Sequence, residues 1–245
     1  MALRLKVLLA LGLAALAQSA VAETPRAVVE LFTSQGCASC PPADAVLADL
    51  AQQPEMIALS FPVDYWDYLG WKDTLAQPAF TARQKAYALS RSDRQVFTPQ
   101  MVVNGVKSCV GSDRAQIERS IQAATSRFGT LAVDVSTSEK NGIVTIEIGE
   151  AAAGASPRQA EVWLLPVTRS QTVQVVRGEN RGRAMSYANV VRDIRKLGPW
   201  TGEKARFEIP AARAREGGDG YVVLLQAIDD TRPSIILGAA KSEGL

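Results

Sequence analysis

Within this 245-residue chain, Cys37-Ala38-Ser39-Cys40 is the arrangement best equipped to do chemistry. Two thiols at this spacing can close a disulfide, and each can attack a sulfur bonded to the other. Before the motif, Val28 to Phe32 reads as a buried strand. After it, Pro41 to Ala51 reads as a helix with Val46, Leu47 and Leu50 inward. At such a junction the first sulfur is expected over free N–H groups of the helix N-terminus, which favour a thiolate. Pro41 and Pro42 suit the first helical turn, where a missing N–H costs nothing. In exchange chemistry Cys37 attacks or is attacked and Cys40 resolves. The alternative is a structural disulfide made once, although closing so short a loop gains little chain entropy.

Composition narrows the rest. The chain has no His, which removes Ser-His-Asp triads, Cys-His pairs, a His base and His-ligated zinc or haem. Residues 1–22 have the parts of a secretory signal peptide: basic Arg4 and Lys6, apolar Val7 to Leu16, and a small-residue site at Ala20-Val21-Ala22. The apolar run is too short to span a bilayer. A periplasmic or secreted product is expected, with its Cys residues in an oxidising compartment. Arg4 and Lys6 account for the whole formal charge of +2, so the exported chain is neutral. A neutral chain argues against nucleic acid and, after signal cleavage, against membrane as partners.

The elements around the motif alternate. Met56 to Val63 reads as a second strand and Pro78 to Ser90 as a second helix. Asn104-Gly105 turns a hairpin between Met101 to Val103 and Val106 to Val110, and Ser112 or Asp113 caps a helix reaching about Phe128. This β-α-β-α-β-β-α order predicts an α/β sheet flanked by helices over 23–129. Beyond 129 the period changes to two, as in Leu131, Val133, Val135 and in Val144, Ile146, Ile148 around Asn141-Gly142. About seven short strands predict an all-β sandwich over 130–245. Tyr187 to Leu197 fits either a helix face or a strand, and the strand is preferred.

Thr98-Pro99 precedes the strand at Gln100. Here the first half resembles the thioredoxin-fold superfamily, whose members hold such a proline in the cis form beside the dithiol. Val-Glu-Leu-Phe-Thr-Ser-Gln-Gly-Cys-Ala-Ser-Cys-Pro-Pro-Ala-Asp (29–44), Val-Asp-Tyr-Trp-Asp-Tyr-Leu-Gly-Trp-Lys-Asp (63–73) and Phe-Thr-Pro-Gln (97–100) resemble one secreted bacterial family. Arg-Gly-Glu-Asn-Arg-Gly-Arg (177–183) and Asn-Val-Val-Arg (189–192) extend that resemblance. The family is domain of unknown function twelve-twenty-three, a thioredoxin-like group without a settled activity. Relatives often carry a His before the second string, where this chain has Pro62. The thioredoxin resemblance implies that Thr98 and Pro99 hold a substrate backbone. It also implies that Glu30 is a buried carboxylate beneath the dithiol, moving a proton for Cys40. An edge-strand proline and an exposed Glu are the plainer readings.

Other features stay open. Phe61, Tyr65, Trp66, Tyr68 and Trp71 crowd one stretch, with Asp64, Asp67 and Asp73 interleaved. Trp66 and Trp71 either form a substrate platform over the dithiol or pack against Phe80, Tyr87 or the second half. Cys109 is unpaired by count and reads as a small buried thiol. Arg177, Arg181 and Arg183 read as a solvated hairpin tip or as a docking loop. The expected function is thiol–disulfide exchange with exported proteins, without a cofactor and with an unidentified redox partner. The rival is a binding module whose dithiol is a staple or a Cu(I) site, with Met101 or Cys109 as an added ligand.

Overall fold

The computed structural model describes residues 24–91, 95–127, 130–157 and 159–245. The leader at 1–22, the helix end at Phe128 and the boundary at 129 lie outside them.

Strands β1 (Ala27–Thr33) and β2 (Met56–Pro62) are buried at every position, so both faces of their sheet need cover. They pair in parallel, from Ala27 opposite Met56 to Thr33 opposite Pro62. On one face, helices α1 (Pro41–Ala51) and α3 (Arg114–Arg127) pack Leu47 and Ile117 against Val29 and Leu31. On the other, helix α2 (Pro78–Ser90) sets Phe80 and Tyr87 against Val28, Phe32 and Phe61. Strand β3 (Gln100–Val103) pairs antiparallel with β1, and β4 (Lys107–Val110) with β3. Asn104 and Gly105 turn that hairpin with φ of 48° and 75°, the left-handed backbone that Asn-Gly favours. Asp113 caps α3 by accepting the Gln116 N–H at 2.9 Å.

In the second half, β5 (Val135–Lys140) and β6 (Ile143–Ile148) pair with each other. The long strand β7 (Ala160–Gln174) is followed by β8 (Ala184–Val191), β9 (Arg195–Trp200) and β10 (Ala205–Pro210). A short helix α4 (Ala211–Ala214) leads to β11 (Gly220–Asp229) and β12 (Arg232–Lys241). The segment read either way from its apolar spacing, Tyr187 to Leu197, is thus strand at both ends.

The expected fold class, a thioredoxin-like α/β domain followed by an all-β sandwich, is overturned. One mixed sheet of nine strands runs β12-β11-β7-β8-β2-β1-β3-β4, with β9 also on β7, and only β10-β6-β5 form a second sheet. Strands from both halves therefore share one hydrogen-bonded layer. The join is β8 on β2, parallel at Ser60 opposite Val190. Side chains complete it: Ser60 Oγ donates to Ala188 O at 2.7 Å and Asn189 Nδ2 to Ala58 O at 3.0 Å. Periodicity locates strands but carries no information on which distant strands pair, and a β2 edge left open would invite association.

The sheet curls round α2. Arg83 on that helix donates from Nε to Glu30 Oε1 on β1 at 2.7 Å and from a terminal nitrogen to Gln226 Oε1 on β11 at 2.9 Å. Tyr87 donates its hydroxyl to the other Glu30 oxygen. Glu30 is 0% exposed, and the pair is fully buried. Removing one partner of a buried ion pair leaves a desolvated charge. Arg83→Met is therefore expected to lower unfolding free energy by about 3–5 kcal/mol, read as a lower urea midpoint with unchanged far-UV spectrum at low urea.

Candidate functional site

Cys37 and Cys40 are disulfide-bonded across the start of α1, with Cα atoms 5.4 Å apart. Cys40 is the N-cap, and Pro41 and Pro42 occupy the first helical positions. The Ala43 and Asp44 N–H groups both donate to Cys40 O, and the Cys40 N–H to Cys37 O. The free amide donors expected beneath the first sulfur are consequently spent or replaced by proline. The helix dipole remains, but the amides of the first helical turn are not free to stabilise a thiolate. Cys37 is 1% exposed and Cys40 0%, although Ala38 and Ser39 between them are exposed. Cys37 Sγ lies 3.4 Å from Ser39 Oγ, which marks it as the sulfur nearer the surface.

Two covers close over the bond. The first is the aromatic stretch. Trp66 donates from Nε1 to Thr98 Oγ1 at 2.8 Å, and Trp71 from Nε1 to Gln35 Oε1 at 2.8 Å. A Cβ on Gly36 would stand 2.9 Å from Trp66 Cβ, so glycine lets the tryptophan approach. Thr98–Pro99 is cis. Leu31, Ala43 and Pro99 crowd Gly111, which brings this loop to the disulfide end of α1. The Pro99 carbonyl is taken by the Gly111 N–H at 3.0 Å. Trp66 thus reaches Thr98 and Gly36 while packing against the cluster that holds Phe80 and Tyr87. Trp71 packs with Val175 and Tyr187 of the second half, whereas Tyr68 is 77% exposed.

The second cover is the loop of Arg177, Arg181 and Arg183, which takes the docked alternative and is seated on the first half. Between β7 and β8 the chain turns through 175–183, and Asn180 at its centre is 0% exposed. Its side-chain amide donates to Gln35 O and to Cys37 O, each at 2.9 Å, while Arg183 donates to its Oδ1 at 3.0 Å. Arg177 and Arg181 remain exposed. Asn180 sits within the 177–183 string that carried the family resemblance, but its type alone signals only a turn.

Glu30 does not lie with this group. Side chains alternate across a strand; Leu31 faces α1, and Glu30 faces α2, where Arg83 and Tyr87 take up its carboxylate. The buried carboxyl on the disulfide side is Asp44, one helical turn after Cys40. Thr33 donates to its Oδ1 at 2.7 Å, and its Oδ2 is buried without a hydrogen-bond partner. Burial pushes the Asp44 carboxyl up to about 7, against the Thr33 bond, with nearby Asp73 adding to the rise. Burial raises Asp73 also, opposed by N–H groups of Gln35, Leu75 and Ala76. Two neighbouring carboxyls thus differ in hydrogen bonding, the arrangement that separates a proton holder from a charge.

Cys109 is a free buried thiol on β4, opposite Met101, and burial pushes it up to about 11. Among the described residues no group of three His, Cys, Asp or Glu is placed to hold a metal, and no helix is long and apolar enough to cross a membrane.

Fold and site together define a mixed α/β protein with a covered C-x-x-C disulfide. Residues 28–226 match the model of the family described as Protein of unknown function (DUF1223), and the chain belongs to that family. It is similar to the crystal structure of a protein from Agrobacterium tumefaciens, at 37% identity and a TM-score of 0.81 over 91% of this chain and 96% of that one. It also resembles HBP35 of Porphyromonas gingivalis, at 11% identity and a TM-score of 0.58 over 89% of this chain and 75% of that one, a likeness of fold alone. No curated protein matches the chain.

The Asp44 environment fixes a sign. Unfolded, the carboxyl releases its proton near 3.8; folded, it holds it to about 7. Between those pH values the native state binds more protons, so its stability falls as pH rises. Asp44→Asn removes that slope. Relative to the parent, the variant should gain about 3–4 kcal/mol between pH 4 and pH 8, measured by urea unfolding with the disulfide intact.

Proposed function

We propose that the protein is an exported thiol–disulfide exchange protein acting on protein cysteines through Cys37 and Cys40. The observation that carries this reading is the closed Cys37–Cys40 bond beside a buried carboxyl with a spare oxygen and a raised proton affinity. The leader read in residues 1–22 and the presence of a disulfide support a periplasmic or secreted location.

A partner thiolate attacks Cys37 Sγ, the Cys37–Cys40 bond breaks, and Cys40 leaves as a thiolate. Asp44, protonated near neutral pH, stands one turn away to supply a proton. A second thiolate of the partner then attacks the partner sulfur of the mixed disulfide, so that the partner leaves as a disulfide and Cys37 as a thiolate. In the opposite direction reduced Cys37 attacks a partner disulfide, and one partner sulfur leaves as a thiolate. Cys40 then gives its proton to the Asp44 carboxylate and attacks Cys37 Sγ. The partner sulfur leaves, and the internal disulfide re-forms. Asp44 takes the role expected of Glu30, whose carboxylate is committed to Arg83. Trp66, Trp71, Thr98 and Pro99 line the approach.

One observation favours a second reading. Both sulfurs are buried, as in a static staple within a binding module. Equilibration of the mature protein against glutathione buffers separates the two. Exchange requires a reversible transition between about −120 and −270 mV; a bond still closed below about −300 mV is a structural bridge. With Cys40→Ser, a working exchanger should also accumulate mixed disulfides on Cys37 with exported proteins. Because the Cys40 N–H and the first-turn amides are engaged, reduced Cys37 should react with iodoacetamide at pH 7 no more than about tenfold faster than a free thiol.

A further inference from the structure

Beside Cys37 lies the 175–183 hairpin tip, whose Asn180 bonds the Cys37 carbonyl. Its backbone is self-contained: the Val175 N–H bonds Arg183 O at 3.0 Å, the Gly182 N–H bonds Val175 O at 2.8 Å, and the Arg181 N–H bonds Gly178 O at 3.2 Å. It can therefore move as a unit without losing its own hydrogen bonds. What ties it down is narrow. Asn180 supplies two N–H groups to the carbonyls of Gln35 and Cys37. Gly178 rests on Trp71, with φ of 76° and room for little beyond a Cβ at 3.2 Å from Trp71 Cβ. Val175 anchors the base among Leu75, Met185 and Tyr187.

We infer that this tip is a gate over the disulfide, latched by Asn180, and that reaction at Cys37 requires the latch to release. The inference deepens the exchange reading and rests on it for biological meaning, although the gate itself concerns access alone. Three features support it. Cys37 is 1% exposed while its neighbours Ala38 and Ser39 are exposed, so the cover is local. The latch holds the Cys37 residue through its carbonyl and so ties the cover to the reacting residue. Opening releases two carbonyl acceptors, Gln35 O and Cys37 O, which water or the N–H groups of an incoming polypeptide can satisfy. The exposed Arg177 and Arg181 lie on the moving segment, within reach of a partner arriving from solvent.

The test compares oxidised wild type with Asn180→Ala. The disulfide is reduced by excess dithiothreitol, whose two thiols become its cyclic disulfide as Cys37 and Cys40 become thiols. Re-oxidation is then timed with oxidised dithiothreitol, and the equilibrium constant is measured separately. A gate predicts both rates rising about ten- to hundredfold with the equilibrium constant changed less than about threefold, since two hydrogen bonds are removed from the closed form in either redox state. Unchanged rates overturn the inference. So does faster reduction alone with a matching shift of the equilibrium constant, which means Asn180 merely stabilises the oxidised loop. Should Asn180→Ala not fold, Arg183→Ala keeps the latch but removes its support at Oδ1. It should accelerate both directions by a smaller factor, and no acceleration counts against the gate. A static bridge appears instead in the equilibrium constant, so failure of the exchange reading and failure of the gate are separable.

Discussion

The seam between β2 and β8 is the constraint on which the site depends. It holds one registered pair, Ser60 opposite Val190, and borrows the rest from the Ser60 hydroxyl and the Asn189 amide. With the end of β8 fixed on β2 at Val190, the β7–β8 hairpin carries its 175–183 tip onto the 34–40 loop. Asn180, more than a hundred residues away in sequence, there bonds the carbonyl of Cys37. The second half is thus part of the site's construction. Asn189 takes a φ of 46° at the seam, a left-handed conformation that Asn tolerates better than most residues.

Around the disulfide, local electrostatics are set more by what is consumed than by what is offered. Two prolines remove amides from the helix start, and the carbonyl of Cys40 absorbs the next two N–H groups. The nearest buried ionisable groups on this side are carboxyls. Asp73 is wrapped by three amides; Asp44 has one hydroxyl donor and an unpartnered oxygen. A proton on Asp44 relieves both its own desolvation and its repulsion with Asp73, which is why it holds that proton toward neutrality. A thiolate formed here gains from a proton donor rather than from a fixed positive partner.

Local signals were legible, and long-range ones were not. The C-x-x-C motif, its prolines, the Asn104-Gly105 turn and the Asp113 cap are properties of a few adjacent residues, and they stand where the sequence pattern put them. The resemblance implied a buried Glu30, but beneath the dithiol; its partner Arg83 lies 53 residues on, on the helix of the opposite face. An acidic residue in a first helical turn is ordinary for dipole reasons, so Asp44 carries no signal of its own. In the fold it lies near Tyr187 of β8, a strand more than a hundred residues on. The same non-local pairing turned an anticipated pair of units into one nine-stranded sheet.

A covered disulfide asks what the cover is for, and the energetics favour one answer. A bridge between residues 37 and 40 closes too short a loop to contribute much to stability. The core already has large apolar clusters on both faces of β1, so a staple adds little there. Meanwhile the chain maintains a buried carboxyl with an unpaired oxygen beside that bond, an arrangement that costs stability as pH rises. It also holds Trp71 and Asn180 on the 35–37 segment by directed hydrogen bonds. A motif of small structural value, surrounded by groups that are costly or specific, is better accounted for by chemistry at the sulfurs than by stapling. Where the proposed exchange holds, the cover would act on rate, keeping small thiols from the bond and leaving the reaction to a partner able to displace Asn180.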